Sequence, residues 1–245
     1  MFKRNRHGIQ IKSPEQLEKM RAAGLVVGRT LDLLKRSVQP GMTPLDLDVI
    51  AEKAIRDEGA IPSFKGYQGF PATICASVNN EVVHGIPTDA RKLREGDIIS
   101  IDCGAILEGW HGDSAVTVPI GEVDPKLTEL MRVTEEAMWR GIAALKPGRH
   151  LSDIGHEVER YVKSQGRYGI PLSTAATASA PRCTWTRGSP TTASRAAGRR
   201  WRRACAWPSS PWSTSAPSGR AYWPTTGPSS RSTASTPHTS STAWP

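Results

Sequence analysis

The sequence predicts an α+β fold for residues 1–170, and three observations support that prediction. Apolar side chains recur at helical spacing before residue 60, alternate at strand spacing between residues 72 and 118, and return to helical spacing after residue 125. From residue 171 onward the amino-acid composition changes so sharply that the two parts of the chain require separate interpretation.

The segment 171–245 contains no Asp, Glu, Lys, Asn, Gln, Val, Ile, Phe or Met. Its nine arginines account for the whole formal charge of +9, because the segment 1–170 balances 23 basic with 23 acidic side chains. This C-terminal segment has almost no strand-forming residues. We therefore predict that residues 171–245 form a low-complexity, disordered tail and that residues 1–170 are the folded part.

The first two helices are predicted from their start and stop signals. Ser13 and Gln16 form a capping box at the start of the first helix, and the apolar pattern runs over residues 14–40 until a Pro-Gly pair ends it. The second helix is predicted over residues 44–59, between a Thr-Pro start and a terminal glycine. Two further helices are predicted over residues 125–145 and 152–165.

The middle of the chain is predicted to be an antiparallel sheet with tight turns. The predicted strands cover residues 73–78, 81–84, 97–103 and 111–118. A Leu-Glu-Gly turn at residues 107–109 closes the last hairpin.

The second helix pair repeats the first at a fixed offset, which for example aligns Asp46 with Asp153 and Leu47 with Ile154. Because the first helix pair belongs to a unit with a sheet, the repeat predicts a second sheet after residue 170. The tail as written does not supply one.

Two aspartates are predicted to lie close together on neighbouring strands. Asp102 ends an apolar strand, and Asp113 lies in the partner strand beyond the hairpin turn. Two like charges in a partly buried sheet need a cation between them, and divalent metals with oxygen ligands meet that need. Taken alone, the pair is also compatible with two solvated strand-end aspartates.

The pair is accompanied by an ordered set of motifs. The string S-V-N-N-E-V-V-H-G-I-P over residues 77–87 precedes Asp102, and G-W-H-G-D over residues 109–113 contains Asp113. With these motifs, the sequence from about residue 11 to residue 170 resembles type I methionine aminopeptidase. Prolidase-type dipeptidases share the implied fold, but this string and the short N-terminal segment fit the aminopeptidase better.

The resemblance implies a pita-bread fold, in which two pseudo-symmetric α+β halves surround a curved antiparallel sheet. It implies two divalent metal ions at the centre, among Co, Mn, Fe, Zn or Ni, and removal of the N-terminal methionine of nascent proteins by two-metal hydrolysis. The family holds its metals with five protein ligands, and Asp102 and Asp113 match the two aspartates among them.

Further residues receive roles from the same resemblance. His84 matches the catalytic histidine that hydrogen-bonds the substrate. Tyr67, Phe70 and Cys75 match residues that line the methionine pocket. Phe64 stands where smaller residues are also found, and ordinary core packing is the favoured alternative for it.

The other histidines and cysteines receive no functional role. We expect His111 not to be a metal ligand, because its side chain is expected to point to the strand face opposite Asp113. His150 and His156 are interpreted as surface or cap residues. The four cysteines, Cys75, Cys103, Cys183 and Cys205, show neither a C-x-x-C pair nor zinc spacing, so no disulfide or zinc site is predicted.

Partners and location follow from the resemblance and from composition. The N-terminal methionine of nascent polypeptides is the expected substrate, the ribosome is a candidate partner, and a monomer is expected. The polar N-terminus is followed by no apolar signal region, and no run of 18 apolar residues occurs. A cytoplasmic protein without membrane contact is therefore predicted.

The possible codons of the tail, read one base earlier, restore the missing metal ligands. Residues 175–186 can encode G-H-G-I-G-T-E-M-H-M-D, which contains the family's histidine motif. Residues 206–214 and 235–245 can encode M-A-F-E-P-M-V-N and D-P-A-H-F-E-H-S-V-A, each with a glutamate. Three motifs in chain order and in one frame favour a one-base frameshift near codon 171. We therefore predict that the chain as written is inactive or severely impaired.

One alternative function belongs to a different class. The Arg/Trp string over residues 199–203 is of the kind that holds RNA by phosphate contacts and base stacking. A non-catalytic RNA-binding protein is therefore the alternative interpretation, although no specific nucleic acid is expected if the tail arose by a frameshift.

Overall fold

The computed structural model describes residues 12–170 and, beyond them, only two paired strands, β5 (Ala175–Ala176) and β6 (Ser189–Pro190). The pairing of β5 with β6 contradicts the predicted disorder at these four residues, whereas the other predictions for the tail, including its two cysteines, lie outside the described residues. The described part combines four helices with a four-stranded antiparallel sheet, so the α+β prediction is confirmed.

The first helix pair forms where the start signals predict it. Helix α1 spans Pro14–Ser37, and the Ser13 side chain accepts a hydrogen bond from the backbone N–H of Gln16. Helix α2 spans Pro44–Asp57 and begins with the equivalent capping box between Thr43 and Asp46. Both helices carry proline in the first turn, where its missing N–H costs no hydrogen bond.

The sheet is organised around one long strand. Strand β3 (Ile98–Leu107) pairs along its whole length with β4 (Trp110–Pro119) on one side. On its other side it pairs with β2 (Ile74–Val78) and with the short β1 (Ile61–Pro62). Strand β3 therefore connects all the other strands of this sheet.

The structure corrects two of the strand predictions. Residues 81–84 do not form a strand, because the Glu81 side chain turns back and accepts a hydrogen bond from the backbone N–H of Val78 at 2.7 Å. Strand β1 was not predicted, since so short a strand gives no detectable alternation.

The main hydrophobic core lies between the helix pair α1–α2 and one face of the sheet. Its largest fully buried side chains include Leu34, Leu47, Ile55, Ile74, Ile99 and Ile101. At Gly112, strand β4 approaches α1 so closely that a Cβ atom would lie 2.5 Å from the backbone oxygen of Ala23. Only glycine permits this contact between strand and helix backbone.

A buried carboxylate joins α2 to the start of β2. Asp48 Oδ1 accepts hydrogen bonds from the backbone N–H groups of Thr73 at 2.8 Å and Ile74 at 2.9 Å. Asp48, Thr73 and Ile74 are all buried. This contact fixes where β2, and with it Cys75, enters the sheet.

The second helix pair consists of α3 (Pro125–Ala143) and α4 (Ser152–Gln165), and it has its own small cluster of buried residues. Val133 and Ala137 of α3 pack there with Val158, Tyr161 and Val162 of α4. Across residues 12–170, none of the helices is both long enough and apolar enough to cross a membrane.

Candidate functional site

The β3–β4 hairpin places the two predicted aspartates on one face of the sheet. Asp102 lies opposite Ala115, and Asp113 lies opposite Gly104. Because Ala115 and Asp113 are two positions apart on β4, the two carboxylates are diagonal neighbours on the same face. This face is the one opposite the α1–α2 core, and it carries the candidate site.

The carboxyl groups of Asp102 and Asp113 influence each other's ionisation. The two residues keep some exposed surface, but Oδ1 of each carboxylate is closed to solvent. Burial, followed by the charge of Asp113 and a hydrogen bond with it, raises the pKa of Asp102 well above its ordinary value. Burial also raises the pKa of Asp113, against the hydrogen bond with Asp102. A second negative charge on the pair is therefore costly, and a cation between the carboxylates would offset that cost.

Cys75 lies directly opposite Asp102 on strand β2, on the same face. Burial, together with the charges of Asp102 and Asp113, raises the pKa of its thiol to about 12. The side chain is therefore a neutral thiol at physiological pH, which suits an apolar pocket wall rather than an anionic metal ligand.

The aromatic residues predicted for the pocket come from one loop. Tyr67 begins a short 3₁₀ turn that spans Tyr67–Gly69, and the backbone N–H of Gly66 donates to the carbonyl of Phe70 at 2.8 Å. An ion pair of 2.6 Å between Lys65 and Glu52 ties this loop to helix α2. Tyr67 is exposed and Phe70 is half-buried, so neither belongs to the core.

Phe64 lies on the site face as well, which corrects the preference for core packing. A Cβ atom at Gly104 would lie 2.8 Å from Cε1 of the Phe64 ring. Gly104 is the register partner of Asp113 and shares its face of the sheet, so the ring lies over that face beside the carboxylate pair. The sequence signal was a glycine shortly after Asp102 inside a strand, which marks a close approach.

His84 follows strand β2 in an unusual backbone conformation. Its φ angle is +58°, in the left-handed region that non-glycine residues rarely adopt. The next residue, Gly85, accepts a hydrogen bond from the Ala76 N–H at 2.8 Å and donates one to Ser77 Oγ at 3.2 Å. These bonds hold the segment against the free edge of β2, so the exposed His84 side chain is presented from a fixed backbone.

His111 and Asp113 lie on the same face of the sheet, so the prediction that they point to opposite faces is wrong. The two are separated by a single residue on strand β4, and alternate residues of a strand share a face. His111 Nδ1 lies 3.3 Å from Ser63 Oγ, and burial lowers the pKa of the imidazole. That His111 is not a metal ligand stays a prediction.

The two histidines of the second helix unit are partly buried. The backbone N–H of His150 donates to the side chain of Asp153 at 3.0 Å, which places His150 directly before Leu151, the N-cap residue of α4. His156 lies within α4 and is half-buried, so part of it remains at the surface.

Comparison with known proteins identifies a family that the sequence matches. Residues 18–184 match metallopeptidase family M24. The methionine aminopeptidase of Clostridium acetobutylicum is 51% identical over 162 residues, which cover 66% of this chain and 64% of that protein. Methionine aminopeptidase 1 of Bacillus subtilis is 50% identical over 154 residues, which cover 63% of this chain and 62% of that protein. The chain thus spans less than two thirds of the length of these relatives.

Solved structures of methionine aminopeptidases have the same fold as this chain. The crystal structure of methionine aminopeptidase from Rickettsia prowazekii superimposes with a TM-score of 0.77 at 33% identity, covering 80% of this chain and 78% of that one. The predicted pita-bread fold is therefore confirmed.

Proposed function

Because the chain belongs to metallopeptidase family M24, we propose that it derives from a methionine aminopeptidase that removes the N-terminal methionine of nascent polypeptides. The observation that carries this proposal is the buried pair of Asp102 and Asp113 on one sheet face, behind the N-N-E-V-V-H-G-I-P string. The names and identities of the relatives support it.

The proposed roles follow the geometry of the site face. Asp102 and Asp113 are proposed as metal ligands, and His84 as the residue that hydrogen-bonds the substrate. Cys75, Tyr67 and Phe70 are proposed as walls of the methionine pocket. Phe64 joins this wall, because its ring lies over Gly104 on the same face.

The chemistry of the two aspartates fits a divalent cation. Carboxylate oxygens are the ligands that hard divalent ions prefer, and two neighbouring acids with raised pKa values gain from a cation that offsets their mutual repulsion. Within the part of the chain that the structure describes, Asp102 Oδ1 is buried and makes no hydrogen bond, which leaves it available for such an ion.

The described residues offer too few side chains to hold a metal ion. Within the described part of the chain, no three His, Cys, Asp or Glu side chains are grouped so that they could hold a metal ion. Two carboxylates do not meet the four to eight ligands that divalent ions take in proteins. The described residues therefore provide half of a metal site, and we assign no catalytic step to the chain through a metal.

We further propose that the chain as written is inactive, because a frameshift near codon 171 replaced the remaining ligands. The tail contains no Asp or Glu, and its three displaced motifs contain, in chain order, the histidine and the two glutamates that the family's ligand set lacks here. The loss of residues that merely support a metal ligand costs roughly 10- to 100-fold in affinity or activity, so the loss of ligands themselves costs more.

A comparison of two proteins tests these proposals. The full chain as written and a version with the reading frame restored from codon 171 are assayed for cleavage of Met-Ala-Ser with added Co²⁺ or Mn²⁺. We expect the restored protein to release methionine and the written chain to release none. Turnover by the written chain contradicts the proposed inactivity, whereas an inactive but folded and metal-loaded restored protein contradicts the proposed activity.

The remaining expectations are proposals of the same kind. A cytoplasmic location and an encounter with new chains at the ribosome suit the proposed substrate. The Arg/Trp string at residues 199–203 lies outside the described residues, so RNA binding stays a prediction.

A further inference from the structure

A hydrogen bond between side chains joins strand β4 to the segment that follows strand β1. His111 Nδ1 lies 3.3 Å from Oγ of Ser63, the residue directly after β1. Strands β1 and β4 pair with opposite sides of β3. Because neighbouring strands lie about 4.8 Å apart, the backbones of β1 and β4 are about 10 Å apart. The two side chains therefore meet by leaning across β3.

Gly104 leaves the space in which this contact forms. The backbone N–H of Ser63 donates to the Gly104 carbonyl at 2.9 Å, so the two residues lie opposite each other. A Cβ atom at Gly104 would lie 2.9 Å from Cβ of Ser63 and 2.8 Å from Cε1 of Phe64. His111 thus reaches Ser63 over a position of β3 that has no side chain.

The contact lies at the root of the loop that carries the proposed pocket residues. This pocket loop spans residues 64–70 and begins directly after Ser63. A second tether is the ion pair between Lys65 and Glu52 of α2, whose side chains both keep exposed surface, so solvent screens it. Ser63 is only 8% exposed, so its hydrogen bond is better shielded from water.

The same contact connects the pocket loop to the strand that carries Asp113. His111 and Asp113 lie two positions apart on β4 and share a face of the sheet. Strand β4 is paired with β3 along its whole length, so the backbone positions of the two residues are fixed relative to each other. A hydrogen bond from His111 to Ser63 therefore fixes how far the pocket loop lies from Asp113.

We propose that His111 is a positioning residue, which acts through Ser63 to hold the pocket loop at a set distance from the carboxylate of Asp113. A pocket that binds one side chain of a substrate also determines where its reacting bond lies. A misplacement of about 1 Å can lower a reaction rate about 100-fold, so this distance matters for turnover. The functional meaning rests on the proposed function, whereas the contact itself is defined by geometry.

Two substitutions of His111 separate this contact from the general effects of a polar side chain. The amide of asparagine reaches the place of Nδ1 and can donate or accept, whichever role the imidazole has there. The longer side chain of glutamine places its amide near Nε2 instead. His111→Asn therefore keeps the hydrogen bond to Ser63, and His111→Gln is the matched control that loses it.

Amide hydrogen exchange of the full chain as written, measured by NMR, tests the proposal. The reporters are the N–H groups of Gly66, Tyr67 and Phe70, each of which donates to a carbonyl within the pocket loop. We expect His111→Ala, His111→Gln and Ser63→Ala to speed their exchange about three- to tenfold, the effect of losing one neutral hydrogen bond. His111→Asn is expected to change it less than about twofold.

Two comparisons show whether the effect is local and passes through Ser63. The Gly41 N–H, which donates to the Leu93 carbonyl beside the start of α2, should exchange at an unchanged rate in every variant. Combining His111→Ala with Ser63→Ala should add nothing to either change alone, because both remove the same contact. Combining His111→Ala with Lys65→Ala should multiply the two effects, because these substitutions break separate tethers.

The Phe64 ring reports the position of the pocket loop as distinct from its mobility. Fluorine NMR of the chain labelled with fluorophenylalanine is simple, since the sequence has three phenylalanines, and Phe64→Leu assigns the signal. We expect this signal to shift in His111→Ala and His111→Gln and to keep its place in His111→Asn. Asp113→Asn should shift it too, because the ring lies over Gly104, the register partner of Asp113.

Three results would overturn the positioning role. These are equal exchange in His111→Asn and His111→Gln, independent effects of His111→Ala and Ser63→Ala, and acceleration at Gly41 as large as in the pocket loop. If His111→Ala fails to fold, the asparagine and glutamine variants and Ser63→Ala still decide the matter. None of these measurements needs turnover, so an inactive frame-restored protein would count against the proposed function and not against this contact.

Discussion

Gly112 of strand β4 lies against the backbone of Ala23 in helix α1, and an added Cβ atom would be 2.5 Å from the Ala23 oxygen. The atoms that it would meet belong to the helix backbone and cannot rotate away. We therefore expect Gly112→Ala to lower the free energy of unfolding by about 1–3 kcal/mol, the usual range for overpacking. Urea denaturation monitored by circular dichroism measures the effect.

Gly24 provides the control for this substitution, since a Cβ atom there meets no atom within 4 Å. Gly24→Ala is expected to raise the free energy of unfolding by about 0.5–1 kcal/mol, because alanine favours a helix interior over glycine. Equal destabilisation by both variants would show that the approach of β4 to α1 is not the cause.

Asp48 is expected to be required for the start of strand β2. Asp48→Ala leaves the buried N–H groups of Thr73 and Ile74 without an acceptor, at a cost of about 1–3 kcal/mol for each group. Asp48→Asn keeps an acceptor oxygen at the same place and should lose less. Hydrogen exchange of these two amides reports the effect directly, and unchanged protection in Asp48→Ala would contradict it.

The carboxylate pair is expected to make the metal-free chain less stable as the pH rises. Because folding raises the pKa of both Asp102 and Asp113 above the ordinary 3.8, the folded chain binds more protons than the unfolded chain. The contribution of these two groups to stability is fully present below pH 3.8. It is lost as the pH rises through their raised pKa values in the folded chain. Asp102→Asn should therefore stabilise the chain at pH 7, and the gain should vanish as the pH falls below 3.8.

Asp97→Asn is the control of opposite sign. Burial opposes the ionisation of Asp97, but hydrogen bonds from Asn79 and from the Arg94 N–H outweigh it and lower its pKa. This variant should destabilise the chain at neutral pH and lose its effect in acid. If Asp102→Asn and Asp97→Asn show the same pH trend in urea denaturation from about pH 2 to pH 8, the assignment of the pair fails.

Metal binding should distinguish the written chain from the restored one. Titration with Mn²⁺, followed by the loss of the free-ion paramagnetic resonance signal, is expected to show no saturable site in the chain as written. The frame-restored protein is expected to bind the ion, and Asp102→Asn in that protein should weaken binding at least tenfold, because a direct ligand is lost. Tight binding by the written chain would contradict the account of a half-complete site.

The sequence predicts the structure well where local chemistry determines it. The capping boxes at Ser13 and Thr43 fix the starts of α1 and α2, and the hairpin turn fixes the register that brings Asp102 and Asp113 to one face. The two aspartates of the candidate site were identified from that register together with the accompanying motifs.

The predictions failed mainly where the outcome depends on contacts between distant segments. Residues 81–84 resemble a strand, but the Glu81 side chain caps the end of β2 instead. Phe64 was expected in the core because nothing local reveals that Gly104, on a different element, provides the space its ring occupies. His111 is a different case, since the alternation of strand β4 already places it on the face of Asp113.

Strand β3 bonds to every other strand of its sheet, and this has a consequence for synthesis on the ribosome. Strands β1 and β2 precede β3 in the chain, so they leave the exit tunnel before β3 does and have no partner until it follows. At roughly 5–20 residues per second this interval lasts on the order of seconds. During it the apolar side of α1 has no sheet to cover it, and the emerging chain is most open to chaperones at that stage.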